Sequence, residues 1–262
     1  ATHQGCYYVV IGIDGPEGPA QDGPKCNATS NCACLTVVNP QPMVANAAVC
    51  VGGDQCLSVN AGSFPALPAG YSYTYQWWFV GTSDCFTTPC PAGTCSGGTA
   101  LMNSATYTGV TTPTLCINDA GLGNQGCYYV QVGIDGPEGP AQDGPKCLVF
   151  SNCACLRVIQ SPVFTVQPED AVACVGGMTM ISATVSNPSG ATLCLQWYRK
   201  VNCNDPGEGS PVVDGNGISG AMTATLTFNP VMLTHEGCYY LRARVCNPDD
   251  LTKCPWIDSD CA

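Results

Sequence analysis

The chain has 262 residues and few charges, only 10% of the total, and its nineteen acidic residues against eight Lys and Arg give a formal net charge of −11. The length allows about two domains of common size. An acidic surface repels polyphosphate, so nucleic acid is not an expected partner. No apolar run is long enough to cross a membrane, and no signal-peptide pattern is present.

Twenty-one cysteines indicate disulfides and an extracellular or cell-surface location. The alternative is a reduced protein that binds several zinc ions. Zinc knuckles of the C-x-x-C type are absent and histidines are nearly absent. The tightest cysteine pairs are C-x-C, at Cys32/Cys34 and Cys153/Cys155. We therefore expect no metal site and no cofactor.

An internal repeat dominates the chain. Residues 5–37 and 126–158 differ at only six of thirty-three positions, and a diverged third copy begins at Gly237. Each copy reads as a strand, a loop rich in Pro and Gly, and a second strand, which predicts a β-hairpin with a long tip. The copies lie roughly 110–120 residues apart. A period of that size predicts an array of similar modules.

The repeat predicts three modules: residues 1–38 as the C-terminal hairpin of a preceding module, 39–158 as a full module, and 159–262 as a module truncated in its last strand. The truncation follows from aligning Ser259–Ala262 with Ser151–Ala154, after which the second copy continues with Cys155. We expect either a window onto a longer repeating polypeptide or a subunit whose ends are completed by its neighbours.

Both longer modules read as short strands without a helical period. Residues 71–79 alternate strictly, with Tyr73, Tyr75 and Trp77 on one face and Trp78 on the other, which predicts a strand. Further strands are expected at 56–59, 114–117, 164–167, 181–185, 193–198 and 224–228. This pattern predicts an all-β fold of two-sheet sandwiches.

The order of motifs resembles the immunoglobulin-like repeats of bacterial cell-surface and secreted proteins. In each module a Cys-Val-Gly-Gly turn, beginning at Cys50 or Cys174, precedes Gln-Trp and then Gly-Cys-Tyr-Tyr. The resemblance covers essentially the whole chain and implies tandem immunoglobulin-like β-sandwiches that are rich in disulfides. It also implies a bacterial surface or secreted location.

The resemblance assigns roles to several buried residues. Trp77 and Trp197 match the core tryptophan, while Tyr128 and Tyr239 match the tyrosine corner, whose hydroxyl bonds to nearby backbone. The usual core cysteine two residues later is absent, and its place is apolar, at Val9, Val130 and Leu241.

Many strand cysteines are therefore expected to face outward and to pair between neighbouring strands. The predicted pairs are Cys6–Cys34, Cys127–Cys155, Cys56–Cys116, Cys194–Cys246 and, within a local loop, Cys90–Cys95. Cys246–Cys254 competes with one of these pairs. Partners for Cys50, Cys85, Cys147 and Cys153 stay open.

No catalytic residues are expected. The two histidines, His3 and His235, occupy equivalent turns, which suggests local hydrogen bonding. No G-x-S-x-G elbow or other set of nucleophile, base and acid is present.

The hairpin tip Gly-Ile-Asp-Gly-Pro-Glu-Gly-Pro-Ala-Gln-Asp-Gly-Pro-Lys occurs twice unchanged and is a candidate binding loop. Its carboxylates could supply oxygens to Ca²⁺, although their spacing does not fit an EF-hand. The alternative is a stiff loop that contacts the adjacent module. The acids concerned are Asp14, Glu17, Asp22, Asp135, Glu138 and Asp143.

Outward-facing Trp78 and Tyr198 could likewise stack on a sugar or pack against a loop. Taken together, the sequence favours a non-enzymatic, extracellular structural protein that self-associates into a surface fibre or filament. The alternatives are an adhesin that binds glycan or a cell-surface protein through its loop tips, and an accessory region of a large secreted enzyme.

Overall fold

The structure is a computed structural model that describes residues 3–13, 26–81, 90, 95–137, 144–188, 190, 192–204, 206–246 and 254–262. The regular structure of these residues is almost entirely β-strand, with short 3-10 turns between strands. No helix within the described ranges is long and apolar enough to cross a membrane.

The first hairpin contains strands β1 (Gly5–Tyr7), β2 (Val10–Ile13), β3 (Cys26–Thr29) and β4 (Ala33–Leu35). Strand β1 pairs antiparallel with β4, and β2 pairs antiparallel with β3. Its apolar side chains are exposed, among them Tyr7, Tyr8, Val9, Val10, Ile11, Leu35 and Val37.

The first sandwich follows, with nine strands among its described residues. These are β5 (Ala47–Cys50), β6 (Gln55–Ser58), β7 (Ser72–Gly81), β8 (Thr99–Ala100), β9 (Tyr107–Thr108), β10 (Thr114–Ile117), β11 (Gly126–Asp135), β12 (Lys146–Phe150) and β13 (Ala154–Ile159). One sheet has the order β5-β13-β11-β7-β8, with β12 also paired to β11. The other sheet has the order β6-β10-β9.

The second sandwich contains β14 (Val163–Val166), β15 (Thr179–Ser182), β16 (Thr184–Ser186), β17 (Leu193–Lys200), β18 (Ser210–Pro211), β19 (Ile218–Ser219), β20 (Thr225–Phe228), β21 (Cys238–Val245) and β22 (Ile257–Asp258). Its sheets have the orders β18-β17-β21-β22 and β15-β20-β19, with a separate β14-β16 pair. Strands β15, β17, β20 and β21 correspond to β6, β7, β10 and β11 of the first sandwich.

Strand β7 lies between β11 and β8, and its alternation directs Trp77 into the core. Trp77 is fully buried and sits opposite Val130 of β11. Its indole Nε1 donates a hydrogen bond to the carbonyl of Thr112 at 2.9 Å. Trp197 in β17 is equally buried and donates to the carbonyl of Thr223, also at 2.9 Å. The prediction of two equivalent core tryptophans is confirmed.

Both tyrosine corners are present. The hydroxyl of Tyr128 donates to the carbonyl of Asn124 at 2.6 Å, and that of Tyr239 donates to the carbonyl of His235 at 2.7 Å. Two residues further on, Val130 and Leu241 are fully buried in the position of the missing core cysteine.

The fold is therefore all-β, with tandem immunoglobulin-like β-sandwiches reinforced by disulfides, as predicted. In both sandwiches the larger sheet contains the tryptophan strand beside the tyrosine-corner strand. The smaller sheet covers the other side of the core. The boundaries 1–38, 39–158 and 159–262 stay predictions.

Burial of the corner tyrosines predicts a loss of stability in alkali. Burial raises the pKa of Tyr128, and a hydrogen bond and the charge of Tyr107 raise it further. In the unfolded chain the phenol ionises near pH 10. The contribution of Tyr128 to stability is thus complete below about pH 10 and falls as the pH rises further, because the unfolded state releases the proton first.

Denaturant titrations between pH 8 and pH 11 test this expectation. The free energy of unfolding should decline above about pH 10, and Tyr128→Phe should decline less steeply than the unmodified chain. Tyr8→Phe, which alters an exposed ring, is the control and should leave the slope unchanged. Equal slopes for Tyr128→Phe and the unmodified chain would contradict the burial argument.

Candidate functional site

The disulfides of the chain are its candidate functional feature, and the structure brings several predicted pairs together. Cys6 is bonded to Cys34 across β1 and β4. Cys56 is bonded to Cys116 across β6 and β10, with a Cα–Cα distance of 4.0 Å. Cys194 is bonded to Cys246, with a Cα–Cα distance of 5.5 Å.

Two predicted pairs are wrong. Cys90 is bonded to Cys127 rather than to Cys95, and Cys127 is therefore not bonded to Cys155. Cys155 takes part in a different disulfide. Cys127 and Cys155 do face each other in the register of β11 and β13, and the sulfurs of Cys90, Cys127 and Cys155 lie within 4.8 Å of one another. Cys90, which follows β7 in the sequence, therefore takes the sulfur of Cys127 that the hairpin register would offer to Cys155.

That loop also supplies Cys95, which is bonded to Cys153. Cys95 and Cys153 form a small apolar cluster with Tyr129, against which Trp78 packs. Cys127 and Cys153 consequently lie outside the main core of the first sandwich, as expected, but only 5% and 8% of their surfaces are exposed. Their disulfides hold Cys90 and Cys95 against the outer face of the sheet.

An equivalent attachment occurs in the second sandwich, and the sequence analysis missed it. Cys203, in the loop after β17, is bonded to Cys261. The two residues are separated by 58 positions, the same separation as between Cys95 and Cys153. Comparing cysteine spacings between the modules could have identified this pair.

A further disulfide joins the two sandwiches. Cys50, at the end of β5, is bonded to Cys254, which lies 204 positions later, with a Cα–Cα distance of 5.5 Å. Around this bond Ile159 and Val245 are fully buried, with Ala48 and Leu193 packed against them. The competing Cys246–Cys254 pair is not formed. The junction therefore has an apolar cluster of its own that a covalent bond closes.

Unpaired thiols are found at four described positions, Cys32, Cys147, Cys174 and Cys238. The sulfurs of Cys203, Cys238 and Cys261 lie within 4.8 Å of one another, but only Cys238 is a thiol. In the cluster of Cys90, Cys127 and Cys155 every sulfur is in a disulfide. Because thiolates are the zinc ligands, neither cluster offers a zinc site in this oxidation state. Cys85 lies outside the described residues.

The acidic loop tips are mostly outside the described ranges, which leave out Asp14, Glu17, Asp22, Glu138 and Asp143. Asp135 is the last residue of β11, and its Oδ1 accepts a hydrogen bond from the Gly136 N–H at 3.0 Å. This contact is local, between adjacent residues. Calcium binding at the tips stays a prediction.

The two outward aromatic residues pack against their own sheets. Trp78 stacks on Tyr129 with ring centroids 6.0 Å apart, and Tyr198 stacks on Tyr240 at 5.6 Å. The guanidinium of Arg242 lies 5.1 Å from the ring centroid of Tyr198 and forms an ion pair with Asp258 at 2.8 Å. Partial burial opposes the charge of Arg242, but Asp258 and Glu208 raise its pKa overall. These contacts favour packing over sugar stacking.

His235 forms local hydrogen bonds, as its place in a repeated turn predicted. Its Nδ1 accepts from the Met232 N–H at 3.2 Å, and its Nε2 lies 2.9 Å from the carbonyl of Asn216. A neutral ring protonated at Nε2 satisfies both contacts. The imidazole is buried and packs against Phe228, so its role in this turn is structural.

No protein-family model and no curated protein matches this chain. Among solved structures, the I-band fragment I67–I69 of titin is 14% identical, with a TM-score of 0.47, and the match covers 85% of this chain and 62% of that one. The eight N-terminal Ig domains of DSCAM are 16% identical, with a TM-score of 0.47 and coverage of 98% and 27%. Extracellular domains 3–5 of Drosophila OTK are 12% identical, with a TM-score of 0.43 and coverage of 89% and 65%. The chain thus spans less than two thirds of each of these structures.

The loop attachment in the second sandwich predicts a specific stability loss. Replacing Cys203→Ser together with Cys261→Ser should lower the free energy of unfolding by about 2–4 kcal/mol, because the unfolded chain regains the entropy of a closed loop. Urea titration of both proteins under oxidising conditions measures this difference. Cys32→Ser removes an exposed, unpaired thiol and should change nothing. A double variant as stable as the unmodified protein would contradict a structural role for the bond.

Proposed function

We propose that this chain is an extracellular structural protein whose immunoglobulin-like modules form a surface fibre or filament. The disulfide content fits an oxidising, extracellular location. The bacterial cell surface that the sequence resemblance implied is part of this proposal.

The junction between the sandwiches is the observation that carries the proposal. A flexible linker would let two recognition modules move independently. Here the Cys50–Cys254 bond and the buried Ile159 and Val245 hold successive modules together. Modules that are fixed to their neighbours suit a rod that bears load better than a set of binding domains that move independently.

The outer disulfides support the same function. Cys56–Cys116 and Cys194–Cys246 cross-link strands or their ends, while Cys95–Cys153 and Cys203–Cys261 tie long loops to the sheets. Local opening of a strand or loop then requires a covalent bond to break. With only eight Lys and Arg in the chain, trypsin-like proteases also find few cleavage sites.

An adhesin is the second candidate. In the second sandwich Arg242 and Arg244 lie over the ring of Trp256, with guanidinium-to-centroid distances of 5.9 and 4.4 Å. Arginine and tryptophan are enriched in protein-binding surfaces, and the Arg242 side chain keeps 14% of its surface exposed. The third candidate, an accessory region of a secreted enzyme, depends on sequence outside this chain.

Electron microscopy of the purified protein tests the proposal. Under oxidising conditions we expect long fibres of uniform width, and addition of dithiothreitol should shorten or disperse them because the disulfides that stabilise each module are reduced. Samples treated with oxidised dithiothreitol serve as the control. Dispersed short rods under all oxidising conditions would contradict the fibre.

A glycan array tests the adhesin separately. If the loop tips bind sugar, the unmodified chain should give signals that disappear in the combined variant Asp135→Ala, Glu138→Ala and Asp143→Ala. A matched variant in another exposed acid, Asp54→Ala, should retain them. An array without signals for the unmodified chain would rule out glycan binding through these tips.

A further inference from the structure

A groove opens in the second sandwich between residues 170–175 and the start of β21. It has a volume of about 540 Å³, and its lining includes Ile181, Phe228 and Tyr239. These three side chains belong to the core cluster of the second sandwich. The groove therefore leads from solvent to the core.

The equivalent place in the first sandwich is filled by β13. Residues Leu156–Ile159 pair in parallel with β5, and Ala154–Leu156 pair antiparallel with the start of β11. Leu156 and Val158 are buried in the core beside Leu57, Ile117 and Tyr128, the counterparts of the three groove residues. A strand of the chain thus closes the first sandwich where the second is open.

The strand that should border the groove is unpaired. Residues 171–174 align with β5 through the shared Cys-Val-Gly-Gly turn, yet they form no strand in the structure. Cys50, in the filled site, is 9% exposed, whereas its counterpart Cys174 is exposed and Val172 is 98% exposed. The two segments differ in their pairing: β5 has a parallel partner strand, β13, whereas residues 171–174 have none among the described residues.

Ala262 and Tyr239 both line the groove and are already paired through their backbones. Ala262 and Tyr239 exchange two hydrogen bonds, with N···O distances of 2.7 and 2.9 Å. The same pair occurs in the first sandwich between Ala154 and Tyr128. A strand lying beyond Ala262 would extend this pairing in the register that β13 uses.

The first hairpin carries a segment of matching sequence. Residues 34–38 read Cys-Leu-Thr-Val-Val, against Cys-Leu-Arg-Val-Ile at 155–159. Leu35 and Val37, which correspond to the two buried residues of β13, are 48% and 45% exposed. We propose that the groove binds residues 35–38 of a second copy of this chain. Leu35 would exchange its pairing with Gly5 for the equivalent pairing with Gly237.

Two exposed thiols support this joint. In the joint between copies, Cys174 of one copy takes the place of Cys50, and Cys147 of the next takes the place of Cys254. Cys147 and Cys254 both follow a lysine in the sequence, after the loop of their respective hairpins. Both Cys147 and Cys174 are exposed and unpaired, whereas their counterparts are bonded. The joint between copies thus reproduces the junction within the chain.

The covalent step needs an oxidant, and a low-molecular-weight disulfide such as oxidised glutathione is sufficient. The thiolate of Cys174 attacks this disulfide and releases one reduced thiol. The thiolate of Cys147 then attacks the mixed disulfide, forms the Cys147–Cys174 bond and releases the second reduced thiol. Two protein thiols lose two protons and two electrons, and one small disulfide is reduced to two thiols.

This joint rests on the proposed fibre function, because it specifies how copies of the chain associate within the fibre. The joint and the fibre can nevertheless be tested separately. Full-length chain labelled with ¹⁴N is mixed with full-length ¹⁵N chain in a glutathione redox buffer and digested without reduction. Mass spectrometry should find Cys147–Cys174 peptides that carry one light and one heavy partner. The substitution Cys174→Ser should abolish them, while Cys32→Ser should not.

Substitutions in the donated strand complete the test. Leu35→Asp with Val37→Asp places charges in the apolar groove and should slow formation of the mixed peptides by at least about tenfold. Thr36→Asp, at the intervening position, is the matched control and should react at the normal rate. The substituted side chains are exposed in the single chain, and circular dichroism of each variant should match that of the unmodified chain.

Peptides of a single isotope alone, links through other cysteines, or an unchanged rate in the Leu35/Val37 variant would each overturn the joint. Fibres without the mixed peptide would overturn the joint and leave the fibre function standing. Mixed peptides without fibres would support the joint and contradict the fibre.

Discussion

The closing strand of the first sandwich, β13, is the interaction on which the rest of that structure depends. In the first sandwich β13 lies between β5 and β11, pairs with both, and buries Leu156 and Val158 in the core. It also leads directly into the junction, where Ile159 is fully buried. One strand therefore completes a core, fixes the position of β5 and connects one module to the next. In the second sandwich the described residues place no strand beside segment 171–174, and this segment is exposed.

Most of the fold could be predicted because its signals are local or repeated. Alternation around Trp77 identifies a strand with one core face, and the Gln-Trp and Gly-Cys-Tyr-Tyr motifs place the same elements in both modules. Cys56–Cys116 and Cys194–Cys246 could be predicted because the cysteines of each pair occur in only one module, in or next to neighbouring strands. The tyrosine corners could be identified because the hydroxyl of each tyrosine bonds only four residues back along the chain.

The remaining disulfides could not be predicted from strand order, because they involve cysteines that lie outside the strands. These are Cys90, Cys95, Cys203 and Cys254. Cys127 faces Cys155 in register, so the hairpin alone favours that pair, but the loop after β7 brings Cys90 to the same sulfur. The partner of Cys50 lies 204 positions away in another module, and no local pattern links the two. Only a model of how successive modules contact each other could have joined them.

The bond between Cys50 and Cys254 also determines how the molecule responds to tension along its length. Pulling force that enters through the first hairpin reaches Cys50 and then crosses the sulfur bridge to Cys254, near the other end. The 203 residues between these two cysteines, which are 204 positions apart, lie outside this covalent path as long as the bridge is intact. Fully extended, that length of chain would measure about 700 Å. A single disulfide thus keeps most of the chain length from extending. The chain is therefore nearly inextensible while this bond is intact and highly extensible once it is reduced.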